Sequence, residues 1–285
     1  MSIDVRLPAR LHFMGSLLIL AVAPVCAVAQ SIAQNTSPDT LAPTIDIFSR
    51  HDAVTAAVFM LGTAAIMPLD RRIAEQSQRA SLQDNTVLNH TMTTARVIGE
   101  PGAIVLAGAT YLYGRSAESP RSAELGLRTI ESIGAAGITS LIIKGVVGRA
   151  RPYVVSDTNP HDYKFGRGFR DDKYTSFPSG HVTTAFAAAS AASQEIPYLW
   201  PHASNLWTPV LFTTASLVGV ARVYEDKHWA SDVIAGAAVG TVVSRIVVKY
   251  ARSHPRNAID RLLLPVGVSQ ARASRGTLFS WNYRF

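Results

Sequence analysis

The sequence predicts an all-α protein whose core is a bundle of six helices. The composition is the first indication, because 48% of the 285 residues are hydrophobic and only 16% are charged, which favours closely packed helices in a soluble bundle or in a membrane. The second is the pattern along the chain, in which apolar segments of helical length follow one another without a strand–helix alternation. The length is sufficient for one large core or two small ones.

The net charge and its distribution along the chain indicate which kinds of molecule the protein binds. The chain carries a formal charge of +7, but its Lys and Arg residues are dispersed and no aromatic stacking pattern accompanies them, which argues against nucleic acid as a partner. A basic surface suits a phosphorylated small molecule, a phosphorylated lipid, or contact with the head groups of an anionic membrane.

The N-terminus predicts a signal peptide over residues 1–29. Arg6 and Arg10 precede an apolar stretch that ends in small residues before Gln30, which is the pattern of a cleavable export signal. An uncleaved anchor or a buried helix is the alternative. The single cysteine, Cys26, lies inside this segment, so we expect a protein exported to the bacterial cell envelope without disulfides.

A helical domain is predicted over residues 51–253, after a flexible leader at 30–50 that is rich in Ser, Thr, Pro and Asn. Each predicted core helix is an apolar segment bounded by polar residues, Gly or Pro. One or two amphipathic surface helices are expected between residues 71 and 100. The six core helices are predicted at 52–69, 101–113, 125–147, 181–195, 207–223 and 229–251.

Two segments lack helical periodicity. Residues 149–177 are polar and Gly-rich and predict a long loop, which in a compact domain usually forms a lid or a substrate-binding rim. The C-terminal extension, 254–285, ends in a period-two pattern that favours a short β-hairpin made with residues 262–268. The alternating aromatic residues are Phe279, Trp281, Tyr283 and Phe285.

Residues 176–181, with the sequence SFPSGH, predict an anion site at the start of a helix. Pro178 suits the first turn of a helix, so the amides of Ser179, Gly180 and His181 are expected to lack intrahelical partners and to point at an anion. Gly180 allows an oxyanion close to the backbone, and Ser179 adds a hydroxyl donor. The alternative is an ordinary helix start with a satisfied histidine.

Lys144 and Arg151 predict a second part of the same site. They lie seven residues apart, two helical turns, so both are expected on one face of the helix that Pro152 ends. Arg binds phosphate through a bidentate fork and Lys as a point charge. The alternative is a solvated basic helix terminus.

The third cluster contains His228 and Asp232, four residues apart. This spacing lets the carboxylate hold one ring nitrogen of His228 while the other is free to attack. Arg222 adds a cation, although a structural His–Asp pair is the alternative. Taken together, three cations, an amide nest and two histidines match nucleophilic phosphoryl transfer.

These three clusters resemble the signature of the type-2 phosphatidic acid phosphatase superfamily, which also contains bacterial acid phosphatases and vanadium-dependent haloperoxidases. One departure is Ala221, where the family often has Ser. The resemblance implies a six-helix core of the acid phosphatase/haloperoxidase type. The matching residues are Lys144-x6-Arg151-Pro152, Pro178-Ser179-Gly180-His181 and Arg222-x5-His228-x3-Asp232.

The resemblance also implies a role for each matching residue. His228 would attack phosphorus to form a phosphohistidine, with Asp232 orienting it, and His181 would protonate the leaving oxygen and then activate water. No metal or other cofactor would be required. The implied phosphate-binding residues are Lys144, Arg151, Ser179, Gly180 and Arg222.

Three other functions remain open from the sequence. A haloperoxidase would hold vanadate in the same pocket, a metallohydrolase would bind a metal through His181, His228 and Asp232, and a non-catalytic protein would bind phosphate or a lipid head group. Under the phosphatase interpretation the substrate is a phosphomonoester, a phosphatidate-type lipid or a polyprenyl diphosphate. Phe177 before Pro178 resembles the lipid phosphatases more than the soluble acid phosphatases.

Membrane insertion is weakly indicated. The uncharged run 53–69 nearly reaches the length of a span, whereas the other apolar segments are shorter or interrupted by charges. After a cleaved signal, three spans would also place Lys144 and Arg151 on the cytoplasmic side, while the resemblance implies a site on the outer face. The sequence therefore favours a periplasmic or peripherally attached bundle over an integral protein with six spans.

Overall fold

The computed structural model describes residues 47–154, 159–255 and 257–264, and over these residues the all-α prediction is confirmed. They contain ten α-helices and one isolated β-bridge, between Arg149 and Tyr163. The helices are α1 Arg50–Ile66, α2 Asp70–Ser77, α3 Ala80–Gln83, α4 Thr86–Val97, α5 Ala103–Ser116, α6 Pro120–Val147, α7 Gly180–Leu199, α8 Trp207–Tyr224, α9 Ala230–Ser253 and α10 Ala258–Leu263.

Six long helices, α1 and α5 to α9, form the bundle, and α7 lies at its centre. The core is built on α7, where Val182 and Phe186 are fully buried and pack in one cluster with Phe212 and Val218 of α8 and Val233 of α9. Successive members of the bundle run in opposite directions. The result is that α6 and α8 end, and α7 and α9 begin, at the same end of the molecule.

The N-terminus of α1 is tied to the C-terminus of α9. Ser49 and Asp52 form a capping box that satisfies the first amides of α1. Asp52 is fully buried and pairs with Arg245, at 2.9 Å, and with Lys249. This contact closes the bundle at the end opposite to the four helix termini.

The end of α6 shows why a glycine is needed. Gly148 has φ +58°, in the left-handed region, and its N–H donates to the carbonyl of Lys144. A Cβ at this position would lie 2.1 Å from the carbonyl oxygen of Lys164. The helix therefore ends at Val147, and the prediction that Lys144 and Arg151 share one helical face is wrong, because Arg151 follows the turn.

Several boundaries differ from the prediction. Pro120 occupies the first turn of α6, which begins five residues earlier than expected. Residues 71–100 form most of three helices instead of one or two. The predicted loop at 149–177 is confirmed over its described residues, where it contains only short 3-10 turns.

The predicted C-terminal hairpin is not supported at its first residues. Leu262 and Leu263 end the helix α10, which Asn257 caps by accepting the N–H of Asp260. The rest of this extension, residues 265–285, lies outside the described residues, as do the predicted signal peptide and nearly all of the leader.

The outer faces of the bundle fit membrane association. Three helical stretches, Arg50–Ser77, α6 and α9, are long and apolar enough to cross a membrane. Large apolar side chains on α1, α5 and α6 are exposed and not covered by the rest of the described chain. Among the most exposed are Met60, Leu61, Val105, Leu106, Ile138 and Leu141.

Candidate active site

The candidate site lies where the C-termini of α6 and α8 meet the N-termini of α7 and α9. The short segment before α7 packs on the start of α9, because the N–H of Ser179 donates to the carbonyl of Asp232 at 3.0 Å. Gly236 of α9 touches this segment closely, and a Cβ there would lie 2.6 Å from the carbonyl oxygen of Ser179. Three distant parts of the chain thus reach one end of the bundle.

The start of α7 differs from the prediction in one detail. The helix begins at Gly180, after Ser179 as its N-cap, rather than at Pro178. Since the amide of Ser179 is used by Asp232, the free amides at this helix start are those of Gly180 and His181. The hydroxyl of Ser179 is buried and has no partner among the described residues, which leaves a donor available for an oxyanion.

Lys144 and Arg151 converge on the same threonine although they do not share a helix. The Lys144 ammonium donates to the carbonyl of Thr175 at 2.6 Å, and the Arg151 guanidinium donates to the Thr175 hydroxyl at 2.9 Å. The Nζ atom of Lys144 is 3.9 Å from the position that a Cβ on Gly180 would occupy. The two cations therefore stand in front of the N-terminus of α7, where the helix dipole also favours an anion.

Arg222 completes the basic group from the end of α8. Its guanidinium pairs with Glu225, which also accepts from Arg96 at 3.1 Å. Its Nε is buried without a partner in the described chain. Arg222 lies close enough to Lys144, Arg151 and His181 to interact with them electrostatically, so three cations act on one small volume.

His228 is almost fully buried in the turn before α9. Its Nδ1 lies 2.7 Å from the carbonyl oxygen of Ser176, and since that oxygen only accepts, Nδ1 carries the proton and Nε2 is available for attack. The Asp232 carboxylate is 3.8 Å from Nδ1, which is beyond hydrogen-bond distance. Burial lowers the pKa of His228 to about 3, which keeps the imidazole neutral near pH 7.

The predicted direct contact between Asp232 and His228 is therefore replaced by an indirect one. Asp232 accepts hydrogen bonds from the Ser176 hydroxyl and from the N–H of Trp229, at 2.9 Å. It thereby holds the residue whose carbonyl fixes the His228 ring. The carboxylate does not touch the imidazole. It holds Ser176, whose carbonyl keeps the proton of His228 on Nδ1.

Arg149 organises a buried charge network that the sequence analysis missed. It is fully buried and bridges Asp70, at 2.8 Å, and Asp232 through different nitrogens of one guanidinium. The Ser231 hydroxyl accepts from this guanidinium and donates to the Asp70 carboxylate. In the sequence, Arg149 is marked only by its position near Arg151. Its partners Asp70 and Asp232 lie 79 and 83 residues away, so no local spacing reveals them.

Glu100 is a second residue that the sequence analysis missed. Its carboxylate oxygen lies 3.2 Å from Nδ1 of His181. It sits between α4 and α5 in an extended conformation, with φ −155° and ψ 121°, where the preceding Gly99 packs tightly against Val218. This contact favours a proton on Nδ1 and leaves Nε2 of His181 toward the site.

The residues of the alternative metal site do not form a ligand group. In the ranges 47–154, 159–255 and 257–264, no group of three or more His, Cys, Asp or Glu side chains is arranged to hold a metal ion. Asp232 is instead committed to Arg149, Ser176 and Trp229.

Comparison with known proteins gives consistent matches around this site. Residues 125–256 match the family model of the PAP2 superfamily. Lipid A 1-phosphatase of Porphyromonas gingivalis is 42% identical over 90 residues, which are 31% of this chain and 19% of that protein. Undecaprenyl-diphosphatase of Sulfolobus acidocaldarius is 29% identical over 133 residues, or 46% of this chain and 61% of that protein. The chain thus spans less than two thirds of each relative.

A solved structure supports the fold. The crystal structure of a transmembrane PAP2-type phosphatidylglycerolphosphate phosphatase from Bacillus subtilis superposes with a TM-score of 0.51 and 21% identity. The superposition covers 73% of this chain and 99% of that one. The likeness therefore extends over nearly all of the smaller protein.

Proposed function

Because residues 125–256 of this chain match the family model of the PAP2 superfamily, we propose that it is a PAP2-type phosphatase that acts on lipid phosphates. The observation that carries this proposal is the meeting of three cations, the unpartnered Ser179 hydroxyl and two histidines at one end of the bundle. A phosphoryl group placed there would satisfy the free donors and offset the repulsion between the cations.

The first chemical step is an attack by His228. Its neutral Nε2 forms a bond to phosphorus, and the bond between phosphorus and the ester oxygen breaks as a phosphohistidine forms. His181 acts as the imidazolium, with Nδ1–H donating to the Glu100 carboxylate, and gives the proton on Nε2 to the leaving oxygen. Lys144, Arg151 and Arg222, with the amide of Gly180, hold the phosphoryl oxygens while charge develops on them.

The second step restores the enzyme. His181, now without its proton, takes one from a water molecule, whose oxygen attacks phosphorus and breaks the bond to Nε2 of His228. Inorganic phosphate leaves, and both histidines regain their starting states. The three cations supply the charge that a metal ion supplies in other phosphatases, so we propose a metal-independent reaction.

The substrate class follows from the bundle around the site. Three helical stretches that are long and apolar enough to cross a bilayer support a site at the membrane surface, where phosphorylated lipid head groups lie. The named relatives act on lipid A and on undecaprenyl diphosphate. We therefore propose a lipid monophosphate or diphosphate as the substrate and the bacterial cell envelope as the location.

The decisive experiment measures phosphate release by the full chain, purified in detergent, from lipid A, undecaprenyl diphosphate, phosphatidate and p-nitrophenyl phosphate with a chelator present. We expect release from at least one lipid, a loss of at least about 10³-fold in His228→Asn, and a loss of about 10² to 10³-fold in Lys144→Met. His90→Asn is the matched control, because His90 is exposed on α4 and outside the site.

Two results would contradict this proposal. If the chelator abolishes activity and a divalent metal restores it, the reaction is that of a metallohydrolase and the phosphohistidine scheme is wrong. Bromide oxidation by peroxide with added vanadate, without phosphate release, would identify a haloperoxidase. Trapping an acid-labile, alkali-stable phosphoryl group that is absent from His228→Asn would support the covalent intermediate.

A further inference from the structure

An exposed segment beside the site combines aromatic and basic side chains. Lys164–Arg170 has the sequence KFGRGFR, with three cations, of which Arg167 pairs with Asp162 at 3.0 Å, and it is followed by Asp171 and Asp172. Phe165 is 85% exposed and Phe169 is 68% exposed. Two large apolar rings presented to solvent within seven residues are unusual on a soluble surface, and the phosphoryl chemistry proposed above does not use them. We refer to Lys164–Arg170 as the basic–aromatic segment.

The basic–aromatic segment continues the apolar outer face of α6. The ring of Phe169 lies directly on Gly145, where a Cβ would be 2.1 Å from the ring. Gly145 belongs to the same helical stripe as Ile138, Leu141 and Ile142, whose side chains are more than half exposed. The stripe and Phe169 thus form one apolar surface that runs along α6 toward the site.

The segment is held in place by the end of α6. The Arg167 guanidinium donates to the carbonyl of Gly148 at 2.9 Å and stacks on Tyr174, 3.7 Å from the ring centroid. Gly168 approaches the carbonyl oxygen of Lys144 so closely that a Cβ would lie 2.2 Å away. The outward position of Phe165 and Phe169 is therefore set by contacts to the backbone around Lys144.

We propose that the basic–aromatic segment docks on the surface of a bilayer that contains anionic lipids. Aromatic rings prefer the membrane–water interface, and Lys and Arg beside them are attracted to anionic head groups. Lys164 and Arg170 are exposed at the two ends of the segment. Docking would place Lys144 and the start of α7 at the depth of the lipid phosphates.

A bilayer fits this surface better than a protein partner does. The apolar stripe extends along α6, one of the helices long enough to span a membrane, and exposed cations lie beyond its ends, in the basic–aromatic segment next to the site and at Arg121 in the first turn of α6. This distribution matches a hydrocarbon core bounded by charged head groups. This docking proposal rests on the proposed function. It concerns the position of the site relative to the bilayer and not the chemical steps at the site.

The test places a fluorophore on the segment. Phe165→Cys, in a Cys26→Ser background so that the introduced thiol is the only one, is labelled with an environment-sensitive dye and reconstituted into phosphatidylcholine vesicles with or without phosphatidylglycerol. We expect a blue shift and quenching by lipids that carry a shallow spin label, both stronger with the anionic lipid. Asp171→Cys, exposed in the same loop, is the matched position and should stay accessible to aqueous iodide.

Charge and ring variants test the two parts of the segment. Lys164→Gln and Arg170→Gln should each lower the ratio of docked to undocked segment in anionic vesicles, measured with the dye at position 165, about fivefold. This corresponds to roughly 1 kcal/mol per cation near an anionic surface. Phe165→Ser should lower turnover of a lipid substrate in vesicles while leaving p-nitrophenyl phosphate hydrolysis unchanged. Leu262→Ser, which removes an 80% exposed side chain from α10, is the control for loss of apolar surface.

The outcomes separate this proposal from the proposed function. A dye at position 165 that remains fully accessible to iodide in anionic vesicles overturns the docking, even if the protein hydrolyses lipid phosphates. A blue shift that depends on protein concentration without lipid indicates contact between protein molecules and also overturns it. Docked dye on a protein that releases no phosphate supports the docking and refutes the phosphatase.

Discussion

The two histidines of the candidate site have different surroundings, and the difference suits the different tasks that we propose for them. His228 is 2% exposed and held by a backbone carbonyl, whereas His181 is 27% exposed and faces the Glu100 carboxylate. A nucleophile benefits from a fixed, neutral imidazole, while a group that exchanges protons with a leaving oxygen and with water needs access to both. Under the mechanism that we propose, the same residue type would perform two tasks because its environment differs.

The burial of His228 predicts a pH dependence of stability. Its pKa is about 3 in the folded protein and about 6.5 in the unfolded chain, so between these values only the unfolded chain binds the proton. The free energy of unfolding should therefore fall as the pH decreases from 6.5, by about 2 kcal/mol at pH 5.

The measurement is the thermal midpoint in detergent between pH 7.5 and 5, compared with His228→Asn. The wild-type protein should lose stability relative to the variant as the pH falls. Parallel curves for the two proteins would show that His228 is protonated in the folded state. Both proteins contain the other groups that titrate in this range, such as Asp226, whose pKa burial raises to about 6. These groups therefore affect the two curves equally.

At the scale of elements, the turn after α6 decides where Lys144 and Arg151 lie. The left-handed Gly148 ends the helix and lets the loop return, so that Lys164 and Gly168 contact the last turn. Both cations then reach Thr175 from different directions. The geometry of the proposed phosphate site depends on this turn as much as on the charged residues.

Gly148→Ala should therefore destabilise the protein and weaken the site. The φ of +58° costs an L-residue about 1 to 2 kcal/mol, and the added Cβ would press on the carbonyl of Lys164. We expect a lower thermal midpoint and a raised KM for the lipid substrate. Gly134→Ala, on the same helix with nothing within 4 Å of its Cβ, should keep or raise stability by up to about 1 kcal/mol. Equal midpoints for the two variants would contradict the role of the turn.

At the scale of the whole molecule, charged and apolar groups are separated along the bundle axis. The cations of the site and the Arg149 network lie at one end, the Asp52 ion pairs lie at the other, and the exposed apolar side chains lie between them. Such a distribution is unfavourable in water but favourable in a bilayer, which has an apolar centre and two polar boundaries.

We expect the protein to remain in the membrane pellet after an alkaline wash and to be released only by detergent. Ile138→Lys should interfere with insertion, because a cation at mid-helix costs about 2.5 to 3.5 kcal/mol in a bilayer and Ile138 is 62% exposed on α6. Val87→Lys is the control, since Val87 is 76% exposed on the short helix α4. Release of the wild-type protein by the wash would contradict this prediction.

The local signals of the sequence were sufficient for the helices and for the candidate residues. Apolar periodicity predicted the six core helices within a few residues, because each helix must bury one face whatever its partners are. The residue types that suit phosphate were recognisable from Lys144, Arg151 and His228, since their chemistry does not depend on the fold. The end of α6 at residue 147 was predicted, but the left-handed turn at Gly148, which takes Arg151 off the helical face of Lys144, was not.

Only the tertiary structure determined how those residues are held. The sequence placed Asp232 against His228 because one helical turn separates them, whereas the fold inserts the Ser176 carbonyl and directs the carboxylate to Arg149. Arg149 and Glu100 came from distant segments with no spacing to reveal them. Periodicity within one segment determines what that segment buries, but contacts between segments arise only when the whole bundle packs and every buried charge must find its partner.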